Sequence, residues 1–338
     1  MEQPAQPVSV VVPTYNRSSL VGRAVESVLT ALWPGDEVIV VDDGSTDDTE
    51  EALRPYAGRI RYVQAPHGGA GRARNRGVRE AAHAWVAFLD SDDEWWPDRL
   101  LLTRRVLEAR PDVLFCFTDF AAHRAAGESR RHLAQWHRDP RSWDEILGPG
   151  VPFSTLASLP DGRADFAVHA GDLYPALLRG AYVPCNTALV RRDRAGAELR
   201  FAEDLPTYED WECFARLARL GPAAYLDCET AWQWSHDGPR LTDADRFVRA
   251  TTRLTLVERV WGADAAFLAR HRDEYESVVK QQRLIRARWW IQEGRTSEAR
   301  RELAQVSGAP ASHRLAAALP GPVARRLASA RARLRTSG

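Results

Sequence analysis

Trp85-Val86-Ala87-Phe88-Leu89-Asp90-Ser91-Asp92-Asp93 is the stretch whose reading decides the fold. A short apolar run, long enough for a buried strand, ends abruptly in three carboxylates. Side chains at alternate strand positions share a face, so Asp90 and Asp92 can converge as the chain leaves the sheet. Two hard oxygen donors on one side suit Mg²⁺ or Mn²⁺, which keep waters and take further oxygens from a substrate diphosphate. An acidic loop capping a helix with Pro97 at its first position accounts for the same residues. On this stretch alone the two readings stand level.

The chain upstream breaks the tie. Val8-Ser9-Val10-Val11-Val12, closed by Pro13, reads as a buried strand. Thr14-Tyr15-Asn16-Arg17 follows as a loop, with Ser18 or Ser19 placed to cap a helix through Leu32. Glu37 to Val41 is a second strand, and Asp42-Asp43-Gly44-Ser45 turns the chain into a helix ending near Leu53. Arg59 to Gln64 is a third, shorter strand. Gly68-Gly69-Ala70-Gly71 then opens a helix bearing Arg72, Arg74 and Arg76. Strands alternating with helices imply a parallel sheet that binds ligands beyond its carboxyl ends. Tyr15, Asn16, Asp42, Asp43, Asp90 and Asp92 therefore gather at one edge, a place for a nucleotide carrying a diphosphate. The glycine cluster matches neither a GxxxxGK[ST] phosphate loop nor a GxGxxG after the first strand.

Downstream, Pro97 to Ala109 reads as a helix and Val113 to Phe117 as a strand. Ala121 to Gly180 is an insertion rich in Arg, His, Trp and Pro, read as the wall of an acceptor pocket. Its Trp136 and Trp143 are either sugar-stacking or surface-packed. Tyr182 to Val190 reads as a strand broken by Pro184. Thr207-Tyr208-Glu209-Asp210-Trp211-Glu212 opens a helix whose apolar face holds Trp211, Phe214, Ala215 and Ala218. Thr207 and Asp210 fit a capping box, and a carboxylate fixed at such a helix start can also be aimed into a cleft. Ala223 to Leu226 is a further strand, and Trp232 to Gly238 a turn in which His236 is a loop residue or a ligand. Beyond Phe247 the chain is helical, with Glu293-Gly294-Arg295 separating Tyr275 to Gln292 from Ser297 to Val306.

Composition sets the limits. The 338 residues hold a large and a smaller domain, and the formal net charge of +0 is not that of a nucleic-acid binder. No run of about 18 apolar residues exists, and the polar N-terminus lacks a signal-peptide pattern, so a cytoplasmic protein is expected. Four scattered cysteines fit reduced thiols. Past Glu302 the acids stop while Arg314, Arg325, Arg326, Arg331, Arg333 and Arg335 accumulate. That tail reads first as a solvated end and second as a peripheral contact with the inner face of a membrane.

Together these segments resemble glycosyltransferase family 2. The matching motifs are Val10 to Arg17, Val41 to Asp47, Gly69 to Gly77, Phe88 to Asp93 and Glu209 to Glu212, which span about two thirds of the chain in the family's order. The resemblance implies the α/β GT-A fold, a Rossmann-like, mostly parallel sheet flanked by helices. Residues 1–246 would form that domain, with a donor half at about 7–120 and an acceptor half at about 121–246, and 247–338 a helical extension. It implies an inverting enzyme using a nucleotide-diphosphate sugar, a UDP-sugar first, with Mn²⁺ or Mg²⁺. The acceptor would be a saccharide, a lipid-linked sugar or a small molecule.

Position by position, Pro13, Thr14, Tyr15, Asn16 and Asp43 would hold the nucleoside, with Asp42 helping and Arg74 near the nucleotide. Asp90-Ser91-Asp92 is similar to the DXD motif and would bind ribose and the divalent metal, Asp90 and Ser91 on the donor and Asp90 with Asp92 at the metal, Asp92 being its direct ligand. Asp210 would be the base, His236 would approach metal and diphosphate, and Asn186, Glu209 and Trp211 would face the acceptor. Trp234 departs from the basic residue that often precedes that histidine. A nucleotidyltransferase and a non-catalytic nucleotide-sugar binder are the competing readings. The first wants a glycine- and lysine-rich loop that Pro13 to Asn16 lacks, and the intact acids argue against the second.

Overall fold

Two β-branched runs build the centre of the sheet. The computed structural model describes residues 6–124, 127–137, 139–236, 238 and 244–336, with side chains of the last helix as far as 328. β1 (Val8–Thr14) is buried along its whole length and pairs in parallel with β2 (Glu37–Asp42) and β4 (Trp85–Phe88). β3 (Arg61–Gln64) adds in parallel to β2. Strands covered on both faces read as continuous apolar runs, which is why these were legible. The register sets Thr14 beside Asp42 and Val11 beside Phe88, so all three loops leave from one edge.

Next to β4 the sheet changes direction. β5 (Asp93–Trp95), β6 (Phe115–Arg124), β7 (Gly127–Ser129), β8 (Val151–Pro152), β9 (Ala167–Gly171), β10 (Leu189–Arg191) and β11 (Ala223–Trp234) complete eleven strands. Their order is β3-β2-β1-β4-β10-β6-β11-β9-β8, with β5 on β11 and β7 on β6. Short β10 is antiparallel to both neighbours, while β6 and β11 pair in parallel. The long strands thus share one direction in a mixed, mostly parallel sheet.

Three expectations are corrected. The helix expected from Pro97 begins at Arg99, because residues 93–95 are drawn into pairing with β11. The strand expected to stop at Leu226 continues to Trp234, kept in register with β6 through two irregularities. The first helix, Val21–Ala31, starts after Leu20 without a side-chain cap; the Ser18 N–H donates instead to Asp47.

The chain divides into two compact units, Met1–Asp204 with Glu209–Gly238, and Leu205–Tyr208 with Pro239–Gly338. The second unit is helical: Arg246–Val260, Ala265–Gln292, Thr296–Ala304, Ala311–Ala318 and Gly321–Thr336. Ala287, Ile291, Ala299, Leu303, Val306, Ala309, Ala317 and Ala324 form one buried cluster there. The hairpin read around Gly294 is present, and Arg283 and Arg286 grip the buried Glu302 across it. Arg331, Arg333 and Arg335 lie outside the described side chains. Among the described residues no helix is long and apolar enough to cross a membrane.

Candidate active site

The loops after β1 and β2 are cross-tied by short polar side chains. Asn16 takes a left-handed conformation (φ 49°), which lets its Oδ1 accept the Thr46 N–H at 2.8 Å while its own N–H reaches Ser45 Oγ at 2.9 Å. Asp42 is buried, accepting from the Tyr62 hydroxyl at 2.5 Å and the Ser45 N–H at 2.8 Å. Asp43 accepts the N–H groups of Gly68 and Gly69 at 2.9 and 2.7 Å and stands 2.9 Å from His67 Nδ1. Both acids therefore hold the loops in place. Tyr15 stands outward, stacked on His67 with centroids 4.2 Å apart. Pro13 lies in β1, and Thr14 Oγ1 is buried without a hydrogen-bond partner. His67 went unread in the sequence, where only its glycine neighbours carried a signal.

Arg74 is the hub. It lies on the helix Ala70–Glu80, is almost wholly buried, and donates from Nη1 to Glu209 Oε1 at 2.7 Å and from Nη2 to Asp90 Oδ1 at 2.6 Å. Its guanidinium packs over the Phe201 ring. One arginine thus joins the turn after β4 to the first turn of the helix Glu209–Leu220. Charge-assisted bonds in a dry setting are strong and directional, so this bridge fixes where the next residue, Asp210, stands. Asp210 is half-buried and accepts the Trp211 N–H at 2.7 Å. Burial first, and the Glu209 charge second, push its carboxyl up to about 7, against the pull of Arg74. A carboxyl there is poised to exchange a proton near neutrality.

Asp92 and His236 meet on the other side of that turn. Gln233 pairs with Asp93, which carries the residues after β11 back over the acidic turn. His236 Nδ1 accepts the Gly238 N–H at 3.0 Å, so Nε2 carries the ring proton and donates to Asp92 Oδ2 at 2.8 Å. Asp92 Oδ2 and His236 Nε2 converge on one point, and for a divalent cation to take the place of the shared proton the ring must carry its proton on Nδ1 instead and give up the Gly238 N–H. Asp90, named with Asp92 for the metal, is instead engaged by Arg74. Among the described residues no group of three or more His, Cys, Asp or Glu side chains could hold an ion. Were a cation held here, Asp92 and His236 would be its ligands from the protein and substrate oxygens would complete the shell.

The residues expected on the acceptor side are held by bonds within the protein. Asn186 is buried with Nδ2 on Asp93 Oδ2 at 2.6 Å, and Trp211 Nε1 donates to the Leu177 carbonyl at 2.8 Å. Glu209 is buried on Arg74. All three side chains are engaged within the protein and help to build the site. Burial, then the charges of Asp92 and Asp90, hold the Asp93 carboxyl well above its ordinary value. Ser91 is buried in the same turn. Trp143 stacks on Tyr225 at 3.9 Å and Trp136 lies edge-on to Phe120 at 5.3 Å, so both take part in aromatic packing. Trp234 carries Arg23 over its ring at 4.6 Å, and Arg23 Nη2 donates to the Asp92 carbonyl at 3.2 Å. A cation thus reaches the turn from the first helix.

The model of glycosyl transferase family 2 matches residues 9–153, in accord with the resemblance read from the motifs. An uncharacterized glycosyltransferase, YibD of Escherichia coli (strain K12), is 36% identical over 150 residues, which is 42% of each chain. TuaG of Bacillus subtilis (strain 168), whose name assigns it to teichuronic acid biosynthesis as a glycosyltransferase, is 29% identical over 60% of this chain and 70% of its own. The chain therefore spans less than half the length of YibD. Among solved structures, S. aureus TarS 1–349 in complex with UDP-GlcNAc superposes with a TM-score of 0.55 at 16% identity, covering 88% of this chain and 87% of TarS 1–349. The mannosyltransferase PcManGT of Pyrobaculum calidifontis, with GDP-Man and Mn²⁺, gives 0.51 at 18% identity over 96% and 80%. The fold is the GT-A arrangement.

Proposed function

We propose that this chain, whose residues 9–153 match glycosyl transferase family 2, is an inverting glycosyltransferase. It would move a sugar from a nucleotide-diphosphate donor to an acceptor hydroxyl. The observation that carries the reading is the Glu209–Arg74–Asp90 bridge, which locks the helix bearing Asp210 to the acidic turn bearing Asp92.

In this reading the loops after β1 and β2 hold the nucleoside, with the outward face of Tyr15 against the base. Asp92 and His236 would hold the cation. When bound, a divalent cation offsets the charge of the departing diphosphate. Asp210, once ionised, accepts the proton of the acceptor hydroxyl as the oxygen attacks C1 from the face opposite the leaving group, which inverts that centre. The name of TuaG and the UDP-GlcNAc bound to TarS support a UDP-sugar and a cell-envelope polysaccharide acceptor, and the GDP-Man of PcManGT makes GDP-sugars the second choice.

A thermal-shift screen of nucleotide-sugars with and without Mn²⁺ tests the donor side. One UDP-sugar should raise the Tm in the presence of Mn²⁺, and Asp92→Ala should remove the metal-dependent part. Equal nucleotide affinity with and without Mn²⁺ in the wild type would contradict the assignment of Asp92 and His236.

A further inference from the structure

The last 36 residues, Leu303 to Gly338, hold six arginines and no carboxylate. They belong to the helical unit. Ala317 and Ala324 are buried in its core and face the helices Ala311–Ala318 and Gly321–Thr336 inward. The same helices carry Leu315 at 70% exposure, Leu327 at 52% and Val323 at 44%. Leu315 and Leu327 are the two most exposed of the seven large apolar side chains left on the surface of the described residues. Val323 and Leu327 stand one turn apart on one face of their helix. The sequence repeats their spacing at Ala330 and Leu334, whose side chains lie outside those described. Arg314 and Arg326 flank the exposed leucines, and among the described residues no carboxylate pairs with either; Arg325 reaches Glu293 at 3.1 Å.

We propose that these two helices seat the helical unit on an anionic lipid surface, the exposed Leu315, Val323 and Leu327 entering the headgroup boundary and the arginines meeting lipid phosphates. Apolar residues bordered by cations on one helix are what such a seat needs, since acyl contact and headgroup charge act together. Charge decides against a second copy as the occupant. Pairing two of these faces would set Arg314 and Arg326, which no carboxylate among the described residues offsets, against their own copies. An anionic bilayer supplies the missing charge, and the exposed leucines are what a purely electrostatic partner would not require. The inference is independent of the chemistry proposed for Asp210.

The test is flotation of the full-length protein with vesicles of phosphatidylcholine alone and of phosphatidylcholine with about a quarter phosphatidylglycerol. Binding should require phosphatidylglycerol and weaken as salt rises from roughly 0.05 to 0.5 M. Arg314→Gln and Arg326→Gln should each lower the partition coefficient about fivefold. Leu315→Glu with Leu327→Glu should lower it by about tenfold or more with the Tm unchanged, because both side chains are exposed. Leu220→Glu, at an exposed leucine of the first unit, is the control and should leave binding intact. No binding to anionic vesicles, equal binding to neutral ones, or binding that survives the double leucine variant would overturn the proposal. So would a dimer in sedimentation velocity that Leu327→Glu dissolves.

Discussion

Arg74 shows how much one side chain determines. Its Nη atoms are both engaged by carboxylates, Asp90 and Glu209, so its reach toward a nucleotide is indirect and it acts as a positioning residue. Removing it leaves a buried Glu209 unpaired, a change that costs about 3–5 kcal/mol in comparable settings. Lysine keeps the charge but loses the fork, and can serve only one of the two acids at a time. Arg74→Lys should therefore lower kcat with little change in its pH dependence. Arg74→Gln takes away the positive charge that holds the Asp210 carboxyl down, so that carboxyl rises further. A base must be ionised to work, so wild-type kcat should climb as pH rises through about 7, and in Arg74→Gln the climb should begin at higher pH. Overlapping pH–rate profiles for wild type and Arg74→Gln would refute the coupling. The arginine was visible in the motif, but its partners, 16 and 135 positions away, were not.

At the scale of elements, legibility followed locality. β1, β2 and the apolar run ending at Asp90 could be read because each is a continuous buried run with a turn signal directly after it. β5 could not, since residues 93–95 are acidic and aromatic and become a strand only through β11, 140 positions on at the Asp93–Gln233 pair. The extension of β11 to Trp234 was hidden for the same reason, and its irregular register with β6 erased the alternation that would have revealed it. His236 reaches Asp92 only because of that pairing. The internal bonds of the acceptor-side residues were not legible because burial cannot be read from residue type: Asn186 and Trp211 are turned inward. The helix Ala70–Glu80 offers an element-level test. A Cβ on Gly77 would stand 2.2 Å from Val11 Cγ1, so Gly77→Ala must push this helix off β1. Chemical denaturation should show a loss of about 1–3 kcal/mol, with donor affinity falling because Arg74 rides on the same helix. Unchanged stability would mean that the helix and β1 pack less closely than described.

For the whole molecule, the division of labour lies in the chain order. The first unit gathers the loops of β1, β2 and β4, the Arg74 helix and the Asp210 helix from positions 13 to 236, while the second collects the arginines of the last 36 residues. Net charge of +0 conceals that asymmetry. The central claim is that the catalytic carboxylate and the donor-holding turn face one activated sugar, so binding and chemistry should separate cleanly on mutation. The direct measurement pairs isothermal titration of the nucleotide-sugar with single-turnover transfer, in wild type and Asp210→Asn. Donor affinity should stay within a few-fold of wild type while transfer slows by roughly 10²-fold or more. Loss of donor binding with near-normal transfer at saturation would contradict the account.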